Sequence, residues 1–183
     1  MYGLVNKAIQ DLVVNGHGMQ MWETIKAEAE VKEALFVNAQ PYQDHVTYRL
    51  IGAASKLLDI PAEDIMADFG RHWITFTAQE GFGGLLQLGG NSLPTFLKNL
   101  DKMHAGMSQF YPGVRTPSFV CIEKDENTLH LEYRSERKGL APFVKGMMQG
   151  LGDRFHLQLE IEQIGFKGQQ DCDTFKIRYT PLA

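Results

Sequence analysis

Two cysteines in 183 residues are too few for a disulfide scaffold. Cys121 and Cys172 have no second cysteine at metal-ligand spacing, so a zinc cluster of the CxxC type is excluded and a reducing cytoplasm is the expected compartment. HExxH, GxxxxGK[ST] and GxSxG are all missing, which removes zinc proteases, P-loop NTPases and nucleophile-elbow hydrolases. Long apolar runs are missing too. The start MYGLVNKAIQDLVV is broken by Asn6, Lys7, Gln10 and Asp11, so it suits neither a signal peptide nor a membrane helix of roughly 20 apolar residues. Positive charge is in deficit: 18 Lys and Arg against 22 Asp and Glu leave a net charge of -4 and a pI of about 5.8. That gives no broad field for phosphate backbones, and neither nucleic acid nor a membrane is expected as a partner.

What is present is an ordinary globular composition, 44% hydrophobic and 22% charged, at a length suited to one domain. Apolar residues at helical spacing predict helices over 4–14, 19–29, 44–58 and 61–79, with Pro61 placed to open the last. The glycine-rich passage EGFGGLLQLGGNS argues against long regular structure and reads as a turn between helices. Asn91 or Ser92 can cap a further helix with Pro94 in its first turn, continuing to about Phe110 before Pro112 and Gly113 stop it. Beyond Pro117 the period changes. Residues 118–123 and 128–134 read as a hairpin around KDEN, 140–151 as a helix, and 155–164 and 174–180 as strands with one wet face. The class is α+β: a helical lobe, then a lobe with an antiparallel sheet and helices.

In the 91–110 helix, Leu93, Leu97, Leu100, His104 and Met107 lie four, three, four and three residues apart. His104 therefore falls on the apolar face. A neutral imidazole there needs a partner for each dry ring nitrogen. Two readings stand at this point: a core histidine satisfied by a carbonyl or a water, or an axial ligand to a haem iron. Zinc would lack the other ligands it needs.

The run LEYRSERKG ends the second strand of the hairpin. If the chain stays extended, Tyr133, Ser135 and Arg137 share one face about 6.6 Å apart. Two hydroxyls and a guanidinium would then form an anion site able to serve more than one carboxylate. Alternation on a solvated strand face gives the same pattern, and Glu132, Arg134 and Glu136 on the other face suit that reading.

The combination of a helix-borne His104, a Pro117 and Tyr133-x-Ser135-x-Arg137 resembles the H-NOX family, which includes the haem domain of the soluble guanylate cyclase β subunit. The resemblance extends over essentially the whole chain, through the MYG start, Phe69-Gly70 and the LAPFVKGMMQGLG segment. It implies one domain over 1–183, with a helical lobe at about 1–60, a haem-binding lobe at about 61–183 and haem b buried between them. It further implies that His104 is the proximal iron ligand, that Tyr133, Ser135 and Arg137 hold the propionates, and that Pro117 packs on the porphyrin and helps distort it. The alternative for Pro117 is a helix-to-strand turn, and the two roles can coexist.

Relatives of this family that bind O₂ carry a distal tyrosine after the motif arginine. Residues 138–152 have none, and the corresponding wall would be Phe143 and Met147. The family pattern adds Val5, Ile9, Trp73 and Ile74 to that wall. NO and CO are the expected ligands, with O₂ weak or absent. An O₂-binding haem protein or haem enzyme is the alternative, for which the Trp73 indole is the candidate donor. The implied mechanism is sensing: NO binding opposite His104 releases the Fe–His bond, and the helix carrying His104 shifts. Without a catalytic motif of its own, the chain is expected not to be an enzyme and to signal to a histidine kinase or a cyclic-di-GMP enzyme.

Overall fold

The helical period at the N-terminus runs further than two separate segments predict. In the computed structural model, which describes residues 1–77, 80, 83–107 and 115–182 apart from the side chains of Leu85 and Met107, α1 spans Gly3–Glu28 and is broken at Gly18. That residue sits at φ 81°, a conformation glycine takes at no steric cost. Residues 15–17, which lie between the two expected helices, continue the helix up to this one-residue break.

Asp44–Leu58 forms α2 over the expected range, with Asp44 favourably placed in its first turn and Asp59 ending it in the left-handed region. Ala62–Thr77 forms α3; the Pro61 carbonyl accepts from the N–H groups of Asp64 and Ile65. The expected end at 79 lies outside the described residues. Within the glycine-rich passage Gly83–Leu88 makes a short helix, α4, where only a turn was expected. Leu93–Met107 forms α5, and the Ser92 hydroxyl oxygen accepts from the Thr95 N–H at 3.4 Å, so Ser92 rather than Asn91 supplies the cap. The predicted stop after Phe110 lies outside the described residues.

β1 (Ser118–Asp125), β2 (Thr128–Arg134), β3 (Leu157–Gly165) and β4 (Asp173–Pro181) form one antiparallel sheet in the order β1-β2-β4-β3. β1 runs through Asp125, so the turn is shorter than KDEN; the Asn127 N–H donates to Asp125 Oδ1 at 3.0 Å. α6 (Ala141–Phe155) extends past the expected 151. Phe155 is therefore helical, not the first residue of a strand. Its ring meets Phe96 of α5 at 5.9 Å, an anchor that favours one more turn of helix before His156 ends it in the left-handed region.

Two apolar clusters result. One lies among α1, α2 and α3, and the other among α5, α6 and the inner sheet face, where Leu129, Leu131, Phe175 and Ile177 are essentially inaccessible. α3 serves both, through Ile65, Met66 and Phe69 on one side and Ile74 on the other. It packs on α6 with almost no gap: a Cβ on Gly146 would stand 1.9 Å from the Ala67 carbonyl oxygen, and one on Gly70 2.0 Å from that of Phe143. Only a residue without Cβ permits this approach. No helix among the described residues is long and apolar enough to cross a membrane.

Candidate functional site

α5 is set on the sheet by Asp101, whose carboxylate accepts from the Phe119 N–H at 2.7 Å and from the Ser118 hydroxyl at 3.0 Å. One turn further along, His104 stacks on Phe119 with ring centroids 5.6 Å apart, and Phe119 in turn meets Tyr133 at 5.2 Å. The imidazole Nδ1 is buried with no hydrogen-bond partner among the described residues. Burial pushes the His104 pKa below its ordinary value and Asp101 only partly opposes this, so the ring is neutral near pH 7. No carbonyl among the described residues satisfies Nδ1.

The His104 ring faces a cavity of about 1380 Å³, above the roughly 300–1,000 Å³ of ordinary small-molecule pockets. Val5, Trp73, Pro117, Tyr133, Ser135, Arg137, Phe143 and Met147 line it together with His104. Residues from α1, α3, α5, α6 and the β2–α6 connection, dispersed over 143 positions of sequence, thereby share one space. Ile9 and Ile74, expected on the same wall, do not line it. Ile9 is 1% exposed in the helical cluster, and Ile74 packs in the sheet-side cluster.

Tyr133, Ser135 and Arg137 do not share a strand face. β2 ends at Arg134, and the Ser135 hydroxyl oxygen accepts the Arg137 N–H at 3.1 Å, turning the chain. This local side-chain bond replaces the ladder that the strand loses beyond its end. Tyr133 is buried, which raises its phenol pKa, and its hydroxyl bonds Ser135. The Arg137 guanidinium donates through Nε to Asp44 Oδ2 at 2.8 Å and through Nη1 to the Arg115 carbonyl at 2.9 Å.

Asp44 was not foreseen. Its carboxylate holds both the Met1 amine and Arg137, joining the start of α2 to the turn after β2. Burial raises its pKa, but the bonds and charges of the Met1 amine and Arg137 outweigh that and hold it below the usual carboxylate value. An acid at the first turn of a helix reads as a dipole charge in sequence, and nothing in its spacing marks a partner 93 residues away. Tyr48 and Thr47 also line the cavity unforeseen; their hydroxyls donate to Lys138 O at 2.9 Å and Asn6 Oδ1 at 2.6 Å.

The walls differ in chemistry. Val5, Phe69, Trp73, Phe143 and Met147 are apolar or aromatic, and Trp73 meets the rings of Phe69, Phe76 and Phe143 at 6.1–6.3 Å. Arg137, Ser135 and Tyr133 supply donors at one side. A neutral imidazole with an unpaired Nδ1, apolar walls and a guanidinium in the lining fit a flat apolar group that carries a metal and carboxylates. Among the described residues no group of three or more His, Cys, Asp or Glu could hold a bare metal ion.

The chain is 30% identical over 181 residues to soluble guanylate cyclase gcy-35 of Caenorhabditis elegans, covering 96% of this chain and 26% of that protein. It thus spans about a quarter of that relative's length. In fold it is similar to an H-NOX protein from S. oneidensis in the Fe(II)NO state, with TM-score 0.89, 19% identity and 98% and 99% coverage of the two chains. It is likewise similar to an unliganded Fe(II) H-NOX protein from K. algicida, with TM-score 0.84, 23% identity and 98% and 97% coverage. Residues 2–163 match the family model described as Haem-NO-binding, and the chain belongs to this H-NOX family.

Proposed function

We propose that this chain is a haem-based NO sensor of the cytoplasm, one H-NOX domain over 1–183 with its lobe boundary near residue 60, that binds haem b in the cavity beside His104. The observation that carries the reading is His104, whose Nδ1 is buried without a hydrogen-bond partner among the described residues, on a large cavity that has apolar walls and Arg137 in its lining. His104 ligates the iron; Tyr133, Ser135 and Arg137 hold the propionates, with Arg137 shared between them and Asp44. Pro117 packs on the macrocycle. Val5, Trp73, Phe143 and Met147 form the wall of the gas site. When bound, haem would supply an iron site for a diatomic gas, and His104 would be the side chain that holds that iron.

The protein's own residues do the rest. Thr47 and Tyr48 commit their hydroxyl protons elsewhere, and Trp73 is packed among rings, so the wall offers little to stabilise the partial negative charge of bound O₂. NO and CO are favoured for that reason. Asp101 ties α5 to the start of β1, so any shift of the helix that carries His104 would be passed to the sheet, a local change biasing a packed interface. The chain is a regulatory module without catalysis of its own, and its output goes to a histidine kinase or a cyclic-di-GMP enzyme.

The test is the absorption spectrum of the reduced protein under argon, NO and air, with His104→Gly beside the wild type. A five-coordinate ferrous spectrum becoming five-coordinate nitrosyl, no lasting oxy form, and haem binding by His104→Gly only with added imidazole are expected. Unchanged ferrous haem in His104→Gly would remove His104 as the ligand. A stable oxy form would favour the O₂-binding alternative.

A further inference from the structure

The segment between β3 and β4 passes over the outside of the turn that carries Ser135 and Arg137. It is tied down by its own bonds. Asp173 Oδ1 accepts from the Lys167 N–H and from Gln163 Nε2, each at 2.9 Å, and Gln170 Nε2 donates to Cys172 O and Thr174 Oγ1, each at 2.9 Å. Lys167 is thereby fixed at its backbone. Its ammonium donates to the Ser135 carbonyl and, at 3.3 Å, to the Arg137 carbonyl. It makes no ion pair among the described residues, and it is not one of the cavity's lining residues.

A lysine half-buried without a carboxylate partner normally keeps its charge in water. Here three donors on one rotatable head reach two carbonyls that flank Glu136. Those carbonyls belong to Ser135 and Arg137, both among the residues that line the cavity. β2 has ended at Arg134, so no ladder bond holds the backbone at this point, and the Ser135 hydroxyl bond to Arg137 N–H is the turn's one internal tie among the described residues. We infer that Lys167 is a positioning residue for the anion cradle: it grips the backbone of the 135–137 turn from behind and fixes the directions in which Ser135 and Arg137 enter the cavity. The inference rests on the reading of Tyr133, Ser135 and Arg137 as the cradle for the cofactor's carboxylates.

The experiment compares wild-type protein, Lys167→Met, Lys167→Arg and Arg137→Ala, all haem-loaded. One readout is the rate of haem transfer to excess apomyoglobin. The other is amide hydrogen exchange of the peptide spanning 135–139, read in both loaded and haem-free protein. With charge-assisted bonds to two carbonyls lost, Lys167→Met is expected to release haem about 10-fold faster and to exchange faster at 135–139 with or without haem. Lys167→Arg, which keeps a cationic donor, is expected to return both readouts to within about threefold of wild type. Fast release in Arg137→Ala beside wild-type release in Lys167→Met would overturn the role of Lys167 and leave the cradle standing. Wild-type release in both would overturn the cradle, and the inference with it. Fast release by Lys167→Met without faster exchange, or without rescue by arginine, would also overturn positioning. If Lys167→Met does not fold, Lys167→Gln, which keeps one amide donor in place of the cation, carries the same two readouts.

Discussion

The same substitution, glycine to alanine in a helix, should have opposite signs at two places in this fold. On α6 a Cβ at Gly146 would lie 1.9 Å from the Ala67 carbonyl oxygen and 2.7 Å from its carbon, about 1.5 Å inside the 3.4 Å at which ordinary contact begins. The atoms it meets are backbone of α3, so no side chain can swing away. The helices must part, at about 1–3 kcal/mol or more for overpacking, against a gain of roughly 1 kcal/mol in helix propensity. A net loss near 2 kcal/mol lowers Tm by roughly 4–8 °C in a chain of this size. At Gly52 on α2 nothing lies within 4 Å of the added carbon. There Gly52→Ala should stabilise by about 0.5–1 kcal/mol and raise Tm by roughly 1–4 °C. Unfolding followed by far-UV circular dichroism measures both. Gly146→Ala with wild-type or higher Tm would refute the close crossing of α3 and α6, and a drop for Gly52→Ala would refute the claim that space alone sets the sign. Because Phe143 and Met147 flank Gly146 on α6 and line the cavity, the parted crossing should also loosen the gas wall.

The Asp44 latch makes a pH-dependent prediction. Its folded pKa lies below the ordinary 3.8, so its stabilisation is complete above the unfolded value and is lost as pH falls through the folded one. The side chain is 41% exposed, and screening holds the cost of Asp44→Asn to about 0.5–1 kcal/mol at neutral pH. Urea midpoints of the two proteins should converge at acid pH, and a constant difference would count against the latch. Burial pushes the Cys121 thiol up to about 11, leaving about one molecule in 1,000 as thiolate at pH 8. Iodoacetamide should label the Cys121 peptide far more slowly in folded than in urea-unfolded protein, and rapid labelling of the folded chain would show an open thiol.

The helices and the sheet were largely legible in sequence because their apolar periods survive packing. α2 occupies its expected span, and the break in α1 falls at Gly18, a residue that favours one. Helix ends were less legible: α6 gained a turn because Phe155 meets Phe96 on another helix, a contact the local period does not contain. His104 was visible as a polar residue in an apolar stripe, yet its stacking on Phe119 and its unpaired Nδ1 arise from packing against β1, which the local period does not contain. Sequence brought Tyr133, Ser135 and Arg137 together by strand alternation, whereas in the fold the Ser135 hydroxyl turns the chain and the same cavity is reached by another route.

Val5 and Ile9 show where such reasoning stops. They are four apart on α1 and so lie on one face. Periodicity says no more than that. Val5 lines the cavity, but Ile9 lies one turn further along, where the cluster of α1, α2 and α3 closes over it to 1% exposure. Direction around a helix is a local property of its sequence, but what a given height along its axis meets is set by the length and crossing of its neighbours. The Gly70 and Gly146 contacts between α3 and α6 fix one such crossing beside the cavity. For the same reason Trp73 lines the cavity while adjacent Ile74, a rotation of about 100° away, enters the sheet-side core.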